Sequence, residues 1–417
     1  MLILHTSDWH LGRTLHHADL TEAYRLWCDD LVRCVEERRI DAVLISGDVY
    51  DRSVPPLAAV ELFDATLARL AELTTVVMTS GNHDSPHRLG FGSRIMRQNV
   101  HIRTDSRDSG TPIPLSTKKG DLGALVYAIP YLDPDVERHR LAPHSPGTEP
   151  QLDELLERSH KAVLRAALER VKADIAHGEY RDATAPRICM AHTFVTGGSP
   201  SSSERDLHVG GIDSAPASLF RLGADGPGPL AYVALGHLHS PQKVGGPADP
   251  PMRYSGSPIA FSFSETKPKS SVLLQLDATG ISTELIPAPV WRPLTTIKGT
   301  LADILSAAAD VADHFVKAIV TDPDRPADMA ARIRAALPYA LEIVHASELT
   351  PSPAPAPHAL ATRDPFDSVI EFLIRAGGRD LSDDERRVAE AAWHKARDIA
   401  FRSENTAVTS TARGEQK

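Results

Sequence analysis

The 417-residue sequence has little cysteine, no long apolar run and no excess of basic charge. Its three cysteines, Cys28, Cys34 and Cys189, lack the paired spacing of a metal-binding or disulfide framework, which favours a reducing compartment. No stretch approaches the ~20 apolar residues of a membrane helix, and no basic, apolar leader precedes the first strand-like residues. We therefore expect a cytoplasmic protein.

The missing basic excess limits how this chain could meet nucleic acid. Lysine and arginine number 45 against 55 aspartates and glutamates, which gives a net charge of −10. A basic excess is common among nucleic-acid-binding proteins. Any DNA binding by this chain must therefore depend on local basic patches, on metal ions or on a partner.

The first part of the chain alternates strand-like apolar runs with helical patterns. Apolar spacing predicts helices at about 18–38 and 56–73, and buried strands at 2–4, 43–45 and 75–78. This strand–helix–strand–helix–strand order is typical of a layered α/β sheet whose strands end in ligand-binding turns.

A second sheet is predicted from the strand-like segments that follow. Segments 125–129, 187–191 and 231–235 read as strands, and 252–254 and 272–276 are expected to close the second sheet. A long amphipathic helix is predicted at 152–176, and the Ser- and Gly-rich stretch 199–211 as a loop. The expected fold class is α/β (layered α+β): two packed sheets flanked by helices in four layers.

The pattern changes after residue 289. Segments between 293 and 344 follow the order β-α-β-α-β, which predicts a small separate domain. The predicted division is a main domain at 1–289, a cap domain at 290–350, a Pro-rich extended linker at 351–363, a helical pair at 364–402 and a disordered tail at 403–417. Phe366, Ile370 and Leu373 share an apolar helical stripe, and Ser382 with Glu385 forms a capping box.

Eight residues carry the candidate chemistry, each at or just beyond a predicted strand end: Asp8, His10, Asp48, Asn82, His83, His192, His237 and His239. Carboxylate oxygen combined with imidazole nitrogen suits Mn²⁺, Fe²⁺ or Zn²⁺ better than Mg²⁺ or Ca²⁺. Any one of these residues alone could be a capping or surface residue. The ordered set of eight favours a metal site.

Two metal ions ~3.5–4 Å apart can lower the pKa of a shared water and stabilise in-line displacement at phosphorus. Such a pair needs a bridging anion, and Asp48, which is expected to lie deepest in the sheet, is the natural candidate. His83 directly follows Asn82, and adjacent side chains point apart. We therefore expect His83 to act separately, stabilising the transition state and protonating the leaving oxygen.

Further charged residues surround these motifs. Asp51 and Asp84 are interpreted as supports of the ligand loops. Four arginines near the same turns either hold a phosphate backbone or form a solvated rim: Arg13, Arg52, Arg88 and Arg94. The remaining histidines, such as His16, are expected to be solvated.

Five motifs resemble those of the calcineurin-like metallophosphoesterases: D-W-H-L-G-R at 8–13, G-D-V-Y-D-R at 47–52, G-N-H-D at 81–84, the isolated His192 and G-H-L-H at 236–239. Within that superfamily the chain resembles the SbcD family, the nuclease subunits of bacterial SbcCD complexes. This likeness also covers 203–211 and 254–258 and, more weakly, the cap domain and the C-terminal helices.

The resemblance implies a role for each candidate residue. One ion would be bound by Asp8, His10, Asp48 and His239, and the other by Asp48, Asn82, His192 and His237, with His83 as the catalytic histidine. Manganese would be the preferred metal. Asp51 follows the bacterial pattern, since archaeal and eukaryotic relatives carry a histidine at this position.

The resemblance also implies an activity and partners. The enzyme would be a hydrolase of ester bonds, acting as an ATP-dependent 3′→5′ double-strand exonuclease and as an endonuclease on single strands and hairpins. Its roles would be in DNA repair, recombination and replication at the nucleoid. Helices 365–377 and 383–400 are predicted to dock on an SbcC-type ATPase through Phe366, Ile370 and Leu373. Residues 290–350 would be a DNA-binding cap, and 56–73 with 89–96 would form a homodimer.

Two other functions stay open on the sequence. Another calcineurin-like phosphoesterase, such as a protein phosphatase or a cyclic-nucleotide phosphodiesterase, would share the Asp48 and Asn82-His83 motifs but needs neither the cap domain nor the helical pair. A non-catalytic scaffold would be expected to have lost ligands, and none of the eight is missing.

Overall fold

The protein is described from a computed structural model, which covers residues 1–96, 98–143, 154–201, 203–204, 214–222, 230–277, 280–349, 366, 369–370, 373, 381–382 and 384–393. The chain divides into two compact units, Met1–Ala346 and Ser347–Lys417. No helix in the described part combines the length and apolar character needed to span a lipid bilayer.

In chain order, the strands are β1 (Leu2–Thr6), β2 (Thr14–Leu15), β3 (Ala18–Asp19), β4 (Ala42–Ser46), β5 (Thr75–Thr79), β6 (Val100–Arg103), β7 (Ile113–Ser116), β8 (Leu122–Ile129), β9 (Arg187–His192), β10 (Leu230–Gly236), β11 (Gln242–Val244), β12 (Met252–Tyr254), β13 (Ser270–Asp277), β14 (Gly280–Pro287), β15 (Leu294–Gly299), β16 (Phe315–Val320) and β17 (Ala340–His345). The α-helices are α1 (Thr21–Arg38), α2 (Leu57–Leu73), α3 (Pro86–Leu89), α4 (Pro134–Arg140), α5 (His160–His177), α6 (Leu301–Ser306) and α7 (Met329–Ala336).

Two six-stranded sheets form the body of the first unit, with strand orders β14-β13-β1-β4-β5-β6 and β11-β12-β10-β9-β8-β7. Strands β1, β4, β5 and β6 run parallel in the first sheet, and β8, β9, β10 and β12 run parallel in the second. The carboxyl ends of each parallel set therefore lie at one edge, where α/β folds bind ligands.

The side-chain alternation of β4 shows how the layers are built. Val43 and Ile45 pack against the cluster that contains Trp27 of α1 and Leu70 of α2. Leu44 points the other way, into an apolar layer between the two sheets. Because both faces are covered, the strand is apolar throughout.

The outer face of the second sheet packs on α5, through Cys189 and Ala191 against Val163 and Leu164. The order of layers is therefore helices, sheet, sheet, helix. The predicted fold class is confirmed.

Two predictions about elements are wrong. Segment 272–276 lies in β13, which pairs antiparallel with β1 and so belongs to the first sheet, not the second. The helix predicted from residue 152 begins at His160, because the side chain of Ser159 caps it by accepting the N–H of Ala162.

Residues 294–345 form the β-α-β-α-β unit that the sequence predicts. Strands β15, β16 and β17 make a parallel three-stranded sheet in that order, and α6 and α7 cover one face through a shared apolar core. Phe315 packs on the other face, within the same cluster as Trp27 of α1. The boundaries at 289 and 350 stay a prediction.

The second unit contains the predicted helical residues. Phe366, Ile370 and Leu373 are helical, Ile370 is buried, and the Phe366 ring lies 6.2 Å from that of Trp393. The backbone N–H and the hydroxyl of Ser382 both donate to Glu385, at 2.9 and 2.8 Å, so the capping box is present. The predicted linker 351–363 and tail 403–417 lie outside the described residues.

Candidate metal centre

All eight predicted residues lie together where the carboxyl ends of strands from the two sheets meet. Asp8 and His10 follow β1, Asp48 follows β4, and Asn82 and His83 follow β5. From the second sheet, His192 ends β9, and His237 and His239 follow β10. Seven of the eight are buried, and Asn82 is half-buried.

The backbone at this edge is strained. Four of the ligand candidates have positive φ: Asp8 at 55°, His10 at 47°, Asp48 at 52° and His237 at 109°. Non-glycine residues rarely adopt this region, and such strain is typical of functional sites. The N–H groups of Asp8 and His10 donate to the carbonyls of Gly47 and Asp48, both at 3.0 Å, which holds the first two loops in this conformation.

Glycines let the two sheets approach each other here. A Cβ on Gly236 would lie 1.8 Å from the Ser46 carbonyl oxygen, and one on Gly47, whose φ is +83°, would lie 2.3 Å from Nδ1 of His192. The glycines of the motifs are therefore required by the close approach of the strand ends.

Asp48 lies between the two predicted ligand sets. Its Oδ2 is 3.3 Å from Nε2 of His192 and 3.6 Å from Nε2 of His10. Its Oδ1 accepts the backbone N–H of His83 at 2.8 Å. This carboxylate therefore contacts one histidine of each set.

The other candidates lie in two groups beside Asp48. In one group, Nε2 of His10 lies 3.0 Å from Nε2 of His239, and Nδ1 of His10 has no hydrogen-bond partner among the described residues. In the other, Oδ1 of Asn82 lies 3.0 Å from Nε2 of His192 and 3.1 Å from Nδ1 of His237.

Three sets of side chains bring one possible ligand atom each to within 4.8 Å of one another: Asp8–His10–His239, His10–Asp48–His83 and Asp8–Asp48–His192. The group formed by Asn82, His192 and His237 is joined to the first set through Asp8, whose Oδ1 accepts the N–H of His237 at 2.9 Å.

Burial sets the protonation of the histidines. It lowers the pKa of His10 and His239 well below the usual value, and that of His237 to about 3, so their nitrogen lone pairs are available. Burial opposes the charged form of His192 as well, but the Asp48 carboxylate raises its pKa to about 9. The neutral imidazoles of His10, His237 and His239, together with the carboxylates between them, are a donor set that fits divalent cations.

Asp84 and Asp51 both contact the ligand loops. The Asp84 carboxylate accepts the N–H groups of Gly81, Val49 and Tyr50 at 2.9–3.1 Å, which joins the loops after β4 and β5. Burial, and then Asp48, raise its pKa to about 6. Asp51 lies 3.8 Å from both Nδ1 of His10 and Nε of Arg13.

The four arginines differ in position. Arg13 donates to the carbonyl of Ser203 at 2.5 Å, and its guanidinium lies 4.7 Å from the ring centre of Phe261. Arg52 lines a neighbouring cleft with Arg13, whereas the side chains of Arg88 and Arg94 are exposed on α3 and on the turn after it.

Sequence reasoning gave no role to several residues that hold the ligands. Ser7 donates to Oδ2 of Asp8 at 2.5 Å and lies 2.7 Å from Ser255. Ser203 and Glu204 contact His239. Ser203 and Glu204 lie in the segment that resembles the SbcD family, and this resemblance could have pointed to them. No sequence pattern pointed to Ser7.

His16 is exposed, as the sequence predicts, and it also has neighbours in the fold. Its Nε2 lies 3.7 Å from the Glu342 carboxylate of β17, and its ring centre is 5.6 Å from that of Phe263. His16 therefore connects the first sheet's loops with the β15–β17 sheet.

Residues 1–241 match the calcineurin-like phosphoesterase family, and residues 290–375 match the SbcD C-terminal family, described as the type 5 capsule protein repressor C-terminal domain. The SbcD subunit of the SbcCD nuclease of Rhodobacter capsulatus is 36% identical over 323 residues, which cover 74% of this chain and 75% of that protein.

Two solved structures are also similar. A protein of Thermus thermophilus has 15% identity and a TM-score of 0.37, covering 68% of this chain and 98% of its own. A dimetal phosphatase from Danio rerio has 12% identity and a TM-score of 0.40, and the match covers 69% of this chain and 99% of the phosphatase. These TM-scores are low, so the family is shown by the sequence matches. The chain belongs to the calcineurin-like phosphoesterases, metal-dependent hydrolases of phosphoester bonds, and within them to the SbcD family of nuclease subunits.

Proposed function

We propose that this chain cleaves DNA phosphodiesters with two divalent ions, manganese in preference, as the nuclease subunit of an SbcCD-type complex at the bacterial nucleoid. The observation that carries the proposal is the convergence of seven metal-ligand candidates, six of them buried, and of buried His83 at the facing ends of β1, β4, β5, β9 and β10. The relative in Rhodobacter capsulatus supplies the nuclease assignment.

The proposed ligand sets are Asp8, His10, Asp48 and His239 for one ion, and Asp48, Asn82, His192 and His237 for the other. The contact between His10 and His239 supports the first set. The contacts of Asn82 with His192 and His237 support the second. The position of Asp48 between His10 and His192 supports a bridging role.

When bound, the two ions would supply an activated water and stabilise the charge that develops on the phosphoryl oxygens. His83 would hold the proton for the leaving oxygen. Its Nδ1–H donates to the carbonyl of Asp51 at 2.7 Å, which fixes the ring, and Nε2 is the nitrogen that would carry the transferred proton. The ring centre lies 4.5 Å from that of His10, next to the ligands.

A cleft of about 570 Å³ beside this site would receive the DNA strand. One wall carries Arg13, His16 and Phe263 from the phosphoesterase body, and the other carries Lys317 and Glu342 from the β15–β17 sheet. Local cations of this kind offset the overall charge of −10. We propose that the cleft guides single strands, hairpins and duplex ends to the site, with ATP-dependent 3′→5′ digestion of duplex ends.

Cleavage of a DNA hairpin with Mn²⁺ by wild type and by His83→Ala tests the activity. We expect wild type to nick the hairpin, and the variant to lose at least two orders of magnitude in rate. Equal cleavage by both proteins, or hydrolysis of small phosphomonoesters alone, would favour a protein phosphatase or cyclic-nucleotide phosphodiesterase instead.

Docking on an SbcC-type ATPase is proposed for the helical pair of the second unit. Of the three predicted contact residues, Ile370 is buried within its own unit, so we propose that contact is made by Phe366 and Leu373, which are half-buried. Deleting residues 351–417 should abolish capture by the ATPase and spare Mn²⁺-dependent cleavage. Retained capture would refute the assignment.

Self-association is proposed through the α2 region and residues 89–96. Large apolar side chains are exposed there: Leu57 by 71%, Phe91 by 83% and Ile95 by 88%. Such a patch is typical of an interface. Light scattering should give a dimer for wild type and a monomer for Phe91→Asp/Ile95→Asp, and a monomeric wild type would contradict this proposal.

A further inference from the structure

We propose that Ser203 and Glu204 are positioning residues that set the affinity of the ion held by His239; the metal itself rests on the proposed function. Neither residue offers an atom to the proposed ligand sets. Both act on the orientation of one ligand.

His239 is held at each of its polar groups except Nε2. Its Nδ1 lies 2.6 Å from the hydroxyl of Ser203, and its backbone N–H donates to Oε1 of Glu204 at 2.8 Å. Its carbonyl accepts from Nζ of Lys269 at 2.8 Å. As a metal ligand, His239 would donate Nδ1–H to Ser203 and keep the lone pair on Nε2, which faces His10.

His192, in the other ligand set, is held differently. Its Nδ1–H donates at 2.9 Å to the carbonyl of Ser46, at the end of the central strand β4. This partner is backbone in the core of the sheet. The orientation of His192 therefore depends on the fold itself, whereas the orientation of His239 depends on the side chains of Ser203 and Glu204, in the segment between β9 and β10.

That segment is anchored at two further points. Oε2 of Glu204 accepts the N–H and the hydroxyl of Ser201, at 2.6 and 2.7 Å. The carbonyl of Ser203 accepts from Arg13, three residues beyond His10. The segment thus connects His239 with the loop that carries His10, the other histidine of the same proposed set.

Loss of the Ser203 hydroxyl should weaken one ion selectively. Ser203 is buried, so Ser203→Ala would leave Nδ1 of His239 without a hydrogen-bond partner and free the ring to change tautomer. Removing the partner of a metal-bound histidine typically lowers metal affinity about 10–100-fold. The ion held with His192 should be unaffected.

Titration calorimetry of the full metal-free chain with Mn²⁺ tests this inference. We expect two binding events for wild type, and for Ser203→Ala one unchanged event and one weakened about 10–100-fold. Ser203→Thr, which keeps the hydroxyl, should restore the wild-type profile, and Glu204→Ala should weaken the same event. Ser109→Ala is the control, because it removes a buried hydroxyl that donates to the Ser106 carbonyl instead.

The outcomes separate the inference from the proposed function. Two Mn²⁺ events in wild type that persist unchanged in Ser203→Ala would overturn the inference alone, as would equal weakening of both events. If Ser203→Thr lost as much Mn²⁺ affinity as Ser203→Ala, the hydroxyl would not be the group that sets the affinity. A wild-type chain that binds fewer than two Mn²⁺ ions would contradict the proposed function and the inference with it.

Discussion

Asp48 and His83 are neighbours in space, but substituting each one should affect metal binding differently. Asp48 contacts histidines of both ligand sets, whereas His83 contacts Asp48 through its backbone N–H. We predict that Asp48→Ala loses both Mn²⁺ ions and all cleavage. His83→Ala should keep two ions per chain and lose cleavage alone. Elemental analysis after gel filtration, with a hairpin cleavage assay, measures both.

Asp108→Ala serves as the control, since the Asp108 side chain is exposed and lies 4.0 Å from Arg103. It should keep both ions and full cleavage. Retention of one tightly held ion by Asp48→Ala would mean that another residue bridges the pair.

His5 should make the metal-free protein lose stability in acid. It is buried between the sheets, with Nδ1 3.2 Å from the Tyr232 hydroxyl and Nε2 3.2 Å from the Leu235 carbonyl. Burial lowers its pKa from 6.5 to about 3. Between these values the unfolded chain binds a proton that the folded chain does not, so stability falls as pH falls, by about 1.4 kcal/mol per pH unit.

Urea unfolding in EDTA at several pH values measures this linkage. His5→Gln can keep both hydrogen bonds but does not titrate. We expect its free energy of unfolding to fall less steeply with pH between 6.5 and 3, with about one proton fewer taken up on unfolding than in wild type. His17→Gln, at an exposed position, should follow wild type. Equal slopes for His5→Gln and wild type would contradict the prediction.

The candidate ligands could be predicted from the sequence because each is carried by a short motif next to a recognisable strand. The residues that hold them could not. Ser7 meets Ser255, 248 positions away, and Ser203 meets His239, 36 positions away. Such contacts depend on how loops from two sheets meet, which no local pattern encodes.

At the scale of elements, apolar pattern predicted where strands lie better than which sheet they join. The apolar run at 272–276 marked β13 correctly, but nothing in it distinguishes pairing with β1 from pairing in the second sheet. The start of α5 was also placed wrongly. Apolar spacing continues upstream of residue 160, and the Ser159 cap, which sets where the helix begins, is a single polar residue.

The approach of β10 to β4 gives a prediction at this scale. A methyl group on Gly236 would meet the Ser46 carbonyl oxygen at 1.8 Å and Nδ1 of His192 at 2.9 Å, so the strand ends must separate. We predict that Gly236→Ala lowers the melting temperature and loses Mn²⁺ binding. Differential scanning calorimetry and Mn²⁺ titration measure these effects.

Gly246→Ala is the matched control. Its added methyl group would meet only Oδ2 of Asp249, at 3.7 Å, which is ordinary contact. It should behave as wild type. Normal metal binding by Gly236→Ala would mean that the two sheets can separate without moving His192 or His237.

For the whole molecule, the β-α-β-α-β order was predictable and its position was not. The sequence shows an apolar Phe315 at the start of a strand, but not that it joins the apolar cluster that contains Trp27 of α1. This packing places one face of the β15–β17 sheet opposite the loops that carry Arg13 and His16. It brings Lys317 and Glu342 to the proposed DNA cleft.

The charges of Lys317 and Glu342 should affect DNA binding with opposite signs. They form an ion pair at 2.7 Å, and both side chains are partly exposed, so the pair contributes little to stability and the lysine is free to exchange partners. A phosphate in the cleft would attract Lys317 and be repelled by Glu342. We predict that Lys317→Ala weakens hairpin binding severalfold. The dependence of log affinity on log salt concentration should become shallower by about one, as expected for the loss of one phosphate contact. Glu342→Gln should tighten binding.

Fluorescence anisotropy of a labelled hairpin in EDTA, at two salt concentrations, measures these effects without cleavage. Lys172→Ala is the control, because Lys172 lies on the exposed face of α5 beside Glu169 and does not line the cleft. If the DNA follows the cleft, Lys317→Ala and Glu342→Gln shift the dissociation constant of the hairpin in opposite directions, and Lys172→Ala leaves it unchanged. If all three variants bind as wild type does, the DNA does not pass between the phosphoesterase body and the β15–β17 sheet.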